Sequence, residues 1–129
     1  MVEVVAPISV GELIDKITIL RIKLDKIRDG AAHANVKREF DQLMEIRARL
    51  GLAADLGPLE ERLHETNLRL WKVEDDLRDL ERRGEFGPNF VTLARSVYTL
   101  NDERSALKRR INAVTSSSIM EEKSYTFYG

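Results

Sequence analysis

The stretch LEERLHETNLRLWKVEDDLRDLERR at residues 59–83 decides the fold. Leu59, Leu63, Leu70, Val73, Leu77 and Leu80 recur at three- and four-residue steps, a heptad seam interrupted only by Thr66. Charged side chains fill the positions between them. Pro58 stands where a first helical turn tolerates it and Gly84 follows the last periodic residue, so a helix is predicted over 58–83. Gly87-Pro88 then restarts the pattern. Phe90, Leu93, Val97, Leu100, Leu107, Ile111 and Val114 mark the inner face of a helix over 88–114, which the serines at 116–118 end. At 1.5 Å per residue these two helices, each of about 26 residues, are about 39 Å long and form an antiparallel hairpin.

The chain upstream follows the same rules. Ser9 with Glu12 reads as a capping box opening a helix over 10–28. Val10, Leu13, Ile17, Leu20, Leu24 and Ile27 form its stripe, while Ile19 and Ile22 point the other way. A helix apolar on both sides is buried between neighbours or in a subunit interface. Asp29-Gly30 is expected to close it, with a loop over 30–34. Asn35 then caps a second helix over 36–50, carrying Val36, Phe40, Leu43 and Leu50 on one face and ending at Gly51. Residues 52–57 read as a connector. The Val-rich segment 2–6 and the tail 119–129 have strand-like composition and are candidates to pair with each other. The expected fold is all-α: one domain over 1–129, a four-helix antiparallel bundle with a long helix 3–helix 4 hairpin and short extended ends.

Composition narrows the function. A length of 129 residues is one domain's worth. The 21 basic and 22 acidic side chains leave a formal charge of −1, without the basic excess that a nucleic-acid or anionic-membrane binder needs. There is no cysteine, hence no disulfide, thiolate nucleophile or Cys-based zinc site. No apolar run approaches the ~18 residues of a membrane span, and the N-terminus lacks a signal-peptide pattern. The expected location is cytoplasmic.

The familiar catalytic signatures are missing: no GxxxxGK, GxGxxG, GxSxG or HExxH, so no cofactor is expected. His33, in the expected loop, and His64 have no partner at a suggestive spacing. Glu12 with Asp15, and Asp76 with Asp79, show the three-residue spacing of carboxylates that hold Mg²⁺ in some all-helical pyrophosphohydrolases. Glu12 is already explained as a cap and the second pair faces outward, so no metal is expected. The informative residues are polar ones on apolar faces. With Val97 at the centre of helix 4's inner face, Asn101, Arg104 and Lys108 fall within about 40° of it. A buried cation needs a partner, and the candidates are Asp15, Glu74 and Asp75. Asn67, Trp71, Glu74 and Arg78 share one flank of helix 3, and Tyr98 and Asn112 the comparable flank of helix 4. Asp15, Lys16, Trp71, Glu74, Arg78, Tyr98, Asn101, Arg104 and Lys108 are therefore the candidate ligand-binding residues. They form either a pocket for a small anionic ligand with an aromatic wall, or an internal salt-bridge network that fixes helix register.

The segments ISVGELIDKITIL (8–20), WKVEDDLRDLERR (71–83), RSVYTLNDERSALKRRIN (95–112) and EEKSY (121–125) resemble a family of small bacterial proteins catalogued as a domain of unknown function. The resemblance covers most of the chain outside helix 2 and its connector. It implies no activity or cofactor, only that this length is a complete protein. The expected role is a binding or assembly module, a homodimer through helix 1 or the long hairpin. The rival is a small enzyme acting on a nucleotide or sugar phosphate.

Overall fold

The computed structural model describes residues 2–52 and 56–128. Among the described residues four helices follow one another: α1 (Val10–Lys26), α2 (Gly30–Leu50), α3 (Leu56–Arg83) and α4 (Pro88–Thr115). Each boundary has a local cause. Ser9 is extended and its Oγ accepts the Glu12 amide at 3.0 Å, which opens α1. α3 closes at Gly84, whose φ of 68° lets the Glu85 amide turn back to the Leu80 carbonyl at 2.9 Å. Pro88 begins α4 directly after Gly87, and Ser116 ends it in the left-handed conformation.

The α1–α2 turn corrects the sequence reading. α1 stops at Lys26, not Arg28, and the expected loop over 30–34 is the first turn of α2. Asp29 is the cap in place of Asn35, its carboxylate accepting the Ala32 amide at 2.9 Å. Ala31, Ala32 and Ala34 are the strongest helix formers, and once Asp29 supplies a start nothing holds them in a loop. His33 thus lies in α2, and its Nε2 sits 3.1 Å from the Leu24 carbonyl at the end of α1. α3 begins at Leu56, two residues before Pro58; residues 53–55 of the expected connector lie outside the described residues, as does Gly129 of the tail. The two ends do not pair as strands: no strand forms among the described residues.

α1 packs against each of the other three helices. Its Leu13, Ile14 and Ile17 meet Leu56, Leu59 and Leu63 of α3 and Leu107 and Ile111 of α4 in the core. Ile22, on the side opposite the expected stripe, is buried as well, so α1 is enclosed by its own chain over that turn. α3 and α4 form the expected hairpin, with Leu70, Leu80 and Leu100 buried along it. Val73 and Leu77 are half-buried, and Val114 is exposed. α2 leans on α1 alone through Phe40 and Leu43, and none of its residues is fully buried. It reaches α3 only by side chains, where Arg47 forks onto Glu60.

α1 comes into close contact with α4 at Gly11. A Cβ there would lie 2.5 Å from the Lys108 carbonyl oxygen and 2.9 Å from Asn112 Oδ1. Gly11→Ala should gain about 1 kcal/mol of helix propensity, yet the backbone of α4 cannot yield as a side chain would. Denaturant unfolding should show a net loss of about 1–3 kcal/mol from overpacking. An unchanged or raised midpoint would mean that the two helices separate freely.

Candidate functional site

Polar residues interrupt the contact between α1 and α4. Glu12, Asp15 and Thr18 recur every third residue on α1, and Arg104, Lys108 and Asn112 every fourth on α4. Both steps keep side chains on one helix face, and the antiparallel helices join them as rungs. Asn112 Oδ1 accepts the Gly11 amide at 2.6 Å. Lys108 Nζ donates to Glu12 at 2.6 Å. Arg104 donates through Nε and Nη2 to the two oxygens of Asp15, at 2.8 and 2.5 Å. From α3, Asn67 Nδ2 donates to Asp15 Oδ1 at 3.0 Å and to Thr18 Oγ1 at 2.9 Å, and Thr18 donates on to the Asp15 carbonyl.

Asp15 is 1% exposed, so its charge has been taken almost completely out of water. Such a carboxylate is tolerable only with an opposite charge in good geometry and its remaining lone pairs engaged. The forked guanidinium and Asn67 supply both. The hydrogen bonds to Asp15 in turn raise the pKa of Arg104, outweighing the opposing effect of its burial.

At the other end the tail folds back over the start of α1. Ser9 Oγ donates to Glu121, and Asn112 Nδ2 donates to the same carboxylate at 3.3 Å. Burial pushes the Glu121 carboxyl up, but the Ser9 hydrogen bond, its own backbone amide, Lys108 and Asn112 together hold it below the ordinary value.

Arg104 faces two ways. Its side chain remains 30% exposed, and its outer edge lines a groove of about 400 Å³ between α1, α3 and α4. Ile19, Ile22 and Leu70 floor that groove, Trp71 forms a wall, and Glu74, Asp75, Arg78 and Asn101 complete it. Arg78 makes no ion pair with any described residue. Across α4 a second groove, of about 470 Å³, shares Asn101 and is lined by Tyr98, Asp102, Lys123, Tyr125 and Tyr128. Tyr98 and Tyr128 meet edge to face, ring centres 5.1 Å apart. Hydrogen bonding to Asp102 lifts the Tyr125 and Tyr128 phenols above their usual pKa.

Of the nine residues expected from sequence, Trp71, Glu74, Arg78, Asn101 and Arg104 line one groove, and Asp15 lies behind it on Arg104. Tyr98 belongs to the second groove. Lys108 is drawn into the ladder by Glu12, which the sequence reading had reserved for the cap; only the Ser9 half of that capping box forms. Lys16 lies at the exposed edge of the ladder, 3.7 Å from the second oxygen of Glu12. Glu12, Thr18, Asn67 and Asn112 complete the network without having been singled out as site residues. For Glu12 and Thr18 the signal was present: with Asp15 they make a three-residue polar repeat through the most apolar stretch of α1.

The fold and site define a small all-helical protein with a charged ladder at its centre and a polar groove beside it. The chain belongs to DUF6165, a family of unknown function whose sequence profile spans residues 4–128. No curated protein and no solved structure matches it.

Two outcomes test the network. Arg104→Met leaves the Asp15 charge buried with Asn67 alone and should cost about 3–5 kcal/mol in denaturant unfolding, while Asp15→Asn combined with it should recover most of that loss. Equal loss in the single and double variants would show that the pair is not coupled. The Glu121 carboxyl has a lower pKa folded than unfolded, so its contribution is present above the ordinary carboxylate range and lost as pH falls through the folded value. Melting temperatures of the wild type and Glu121→Gln should therefore differ near neutrality and converge in acid. A difference that persists unchanged at pH 3 would show that the tail is held by other contacts.

Proposed function

We propose that this protein is a binding module for a small phosphorylated, hydroxyl-bearing ligand, held in the groove between α1, α3 and α4. The observation that carries the reading is Arg78: an exposed cation without an ion-pair partner among the described residues, lining the same groove as Arg104, Asn101 and Trp71. Guanidinium forks match phosphoryl oxygens. Glu74 and Asp75 add acceptors to the same groove, so a bare anion is a poor fit. A ligand that also offers hydroxyl donors to those carboxylates, and a flat or sugar-like face to Trp71, satisfies all of them. Sugar phosphates and nucleotides share that chemistry. Asp15, the most buried carboxylate, is neutralised by Arg104, which favours binding over acid–base catalysis as the role of the cluster. The cysteine-free composition supports a cytoplasmic setting, and the resemblance to small bacterial proteins supports a bacterial one.

Trp71 is the chain's only tryptophan, so its fluorescence reports on the groove directly. Titration with glucose 6-phosphate, uridine diphosphate and inorganic phosphate should change that emission for at least one of the first two. The melting temperature should rise with it, by the equivalent of about 2.7 kcal/mol at a hundredfold excess over Kd. Arg78→Ala should abolish both responses with helicity unchanged. Silence from all three ligands at millimolar concentration, or full binding by Arg78→Ala, would remove the proposal.

A further inference from the structure

On the opposite side of α1 from the ligand groove, the molecule is unfinished. A groove of about 790 Å³ runs between the N-terminal segment, α2 and the end of α4. Val4, Val5, Ile8, Leu43, Ile46 and Leu50 form its apolar wall, and Thr115 with the serines at 116–118 a polar end. Val2, Val4 and Val5 are 95%, 84% and 88% exposed, and Ile46 and Leu50 stand nearly half in water. Residues 2–8 form no regular secondary structure, and no backbone hydrogen bond joins them to the described rest of the chain. Short Val-rich segments with unpaired backbone groups are templates for pairing with another chain. α2 adds to the deficit, because it is held from one side only.

Surface area gives the scale. A compact monomer of 14.8 kDa is expected to expose about 7,000 Å². This chain exposes 8812 Å², an excess of about 1,800 Å², against the ~800 Å² per partner that a standard stable interface covers. Contiguous exposed apolar surface of this kind marks an interaction site.

We propose that this face is the interface of a homodimer, with the N-terminal segments and α2 helices of two copies packed across a two-fold axis. A second copy is the occupant that the charges favour. The rim carries one cation, Lys16, and two carboxylates, Glu3 and Glu39, and Glu39 makes no ion pair with any described residue. A two-fold contact uses the same patch twice, so a rim bearing both signs complements itself, whereas a strongly basic or acidic partner meets repulsion from one of them. A segment placed beside the axis meets its own copy antiparallel, and this satisfies the free backbone groups of residues 2–6. The interface centres on the N-terminal segment and α2, with Val10, Leu13 and Lys16 of α1 and the end of α4 at its edge.

Sedimentation equilibrium of the full chain at 10–100 µM, a concentration range chosen on the order of ordinary dimer affinities, tests the proposal. The wild type should have twice the chain mass. Val4→Glu combined with Ile46→Glu should have the chain mass, with the helical circular dichroism and the Trp71 emission of the wild type. Both substitutions are at exposed positions, so an intact fold is expected. Phe86→Glu, at the distant hairpin tip, should remain dimeric. A wild-type monomer throughout that range, or a Val4→Glu/Ile46→Glu variant that keeps the dimer mass, would overturn it. So would a dimer that Phe86→Glu alone dissociates, since the contact would then lie on the hairpin.

Discussion

A carboxylate held out of water at the junction of three helices sets the terms for the rest of this fold. The buried Asp15 carboxylate has its partners in Arg104 of α4, which forks onto it, and Asn67 of α3, which engages one of the same oxygens. Each partner has one place from which it can reach. The pair therefore fixes the register of α1 against α4, and Asn67 fixes α3 against both. Apolar packing alone would tolerate a slip of one turn, since Leu and Ile recur along all three helices. A slipped arrangement would strand a buried charge, at a cost of several kcal/mol. The same constraint places Gly11 under the Lys108 carbonyl, where no side chain fits.

This arrangement divides the molecule into unequal parts. α1, α3 and α4 share the core, the ladder and the long hairpin. α2 rests on α1 and is joined to α3 by the Arg47–Glu60 fork. With no residue fully buried, α2 has the fewest contacts to lose on opening locally. Its place in the sequence, between a tight turn capped by Asp29 and a left-handed Gly51, keeps it aligned with α1 while leaving its outer flank free. The proposed assembly surface and the proposed ligand groove share no lining residue.

Arg104 links structure and site. Two of its nitrogens are committed to Asp15, which holds the guanidinium plane in a single orientation and presents its outer edge to the groove. A flexible lysine at that position would offer the same charge without the fixed direction. The residues that give the groove its chemical character, Trp71, Arg78 and Asn101, need not move to expose it. The groove is thus pre-organised by the interaction that fixes helix register, and a ligand there would meet a surface whose ordering is already complete.

Four helices and their seams were legible in the sequence because local physics sets them. A 3.6-residue repeat of leucines makes an amphipathic helix whatever surrounds it, and Gly84, Pro88 and Gly51 punctuate the chain by backbone sterics alone. The Arg104–Asp15 pairing was also within reach, since a cation on an apolar face must have an acid opposite. The start of α2 was misread, as Asp29 and Asn35 are both good caps and only the choice of the earlier one brings His33 to the Leu24 carbonyl. Which acid answers Lys108, which side of α1 Lys16 faces, and that Tyr98 belongs to a separate groove were not legible. Helical phase gives the direction of a side chain about its own axis. It does not give the distance to another helix, and it is that distance, set by packing, which decides whether two charges meet each other or water.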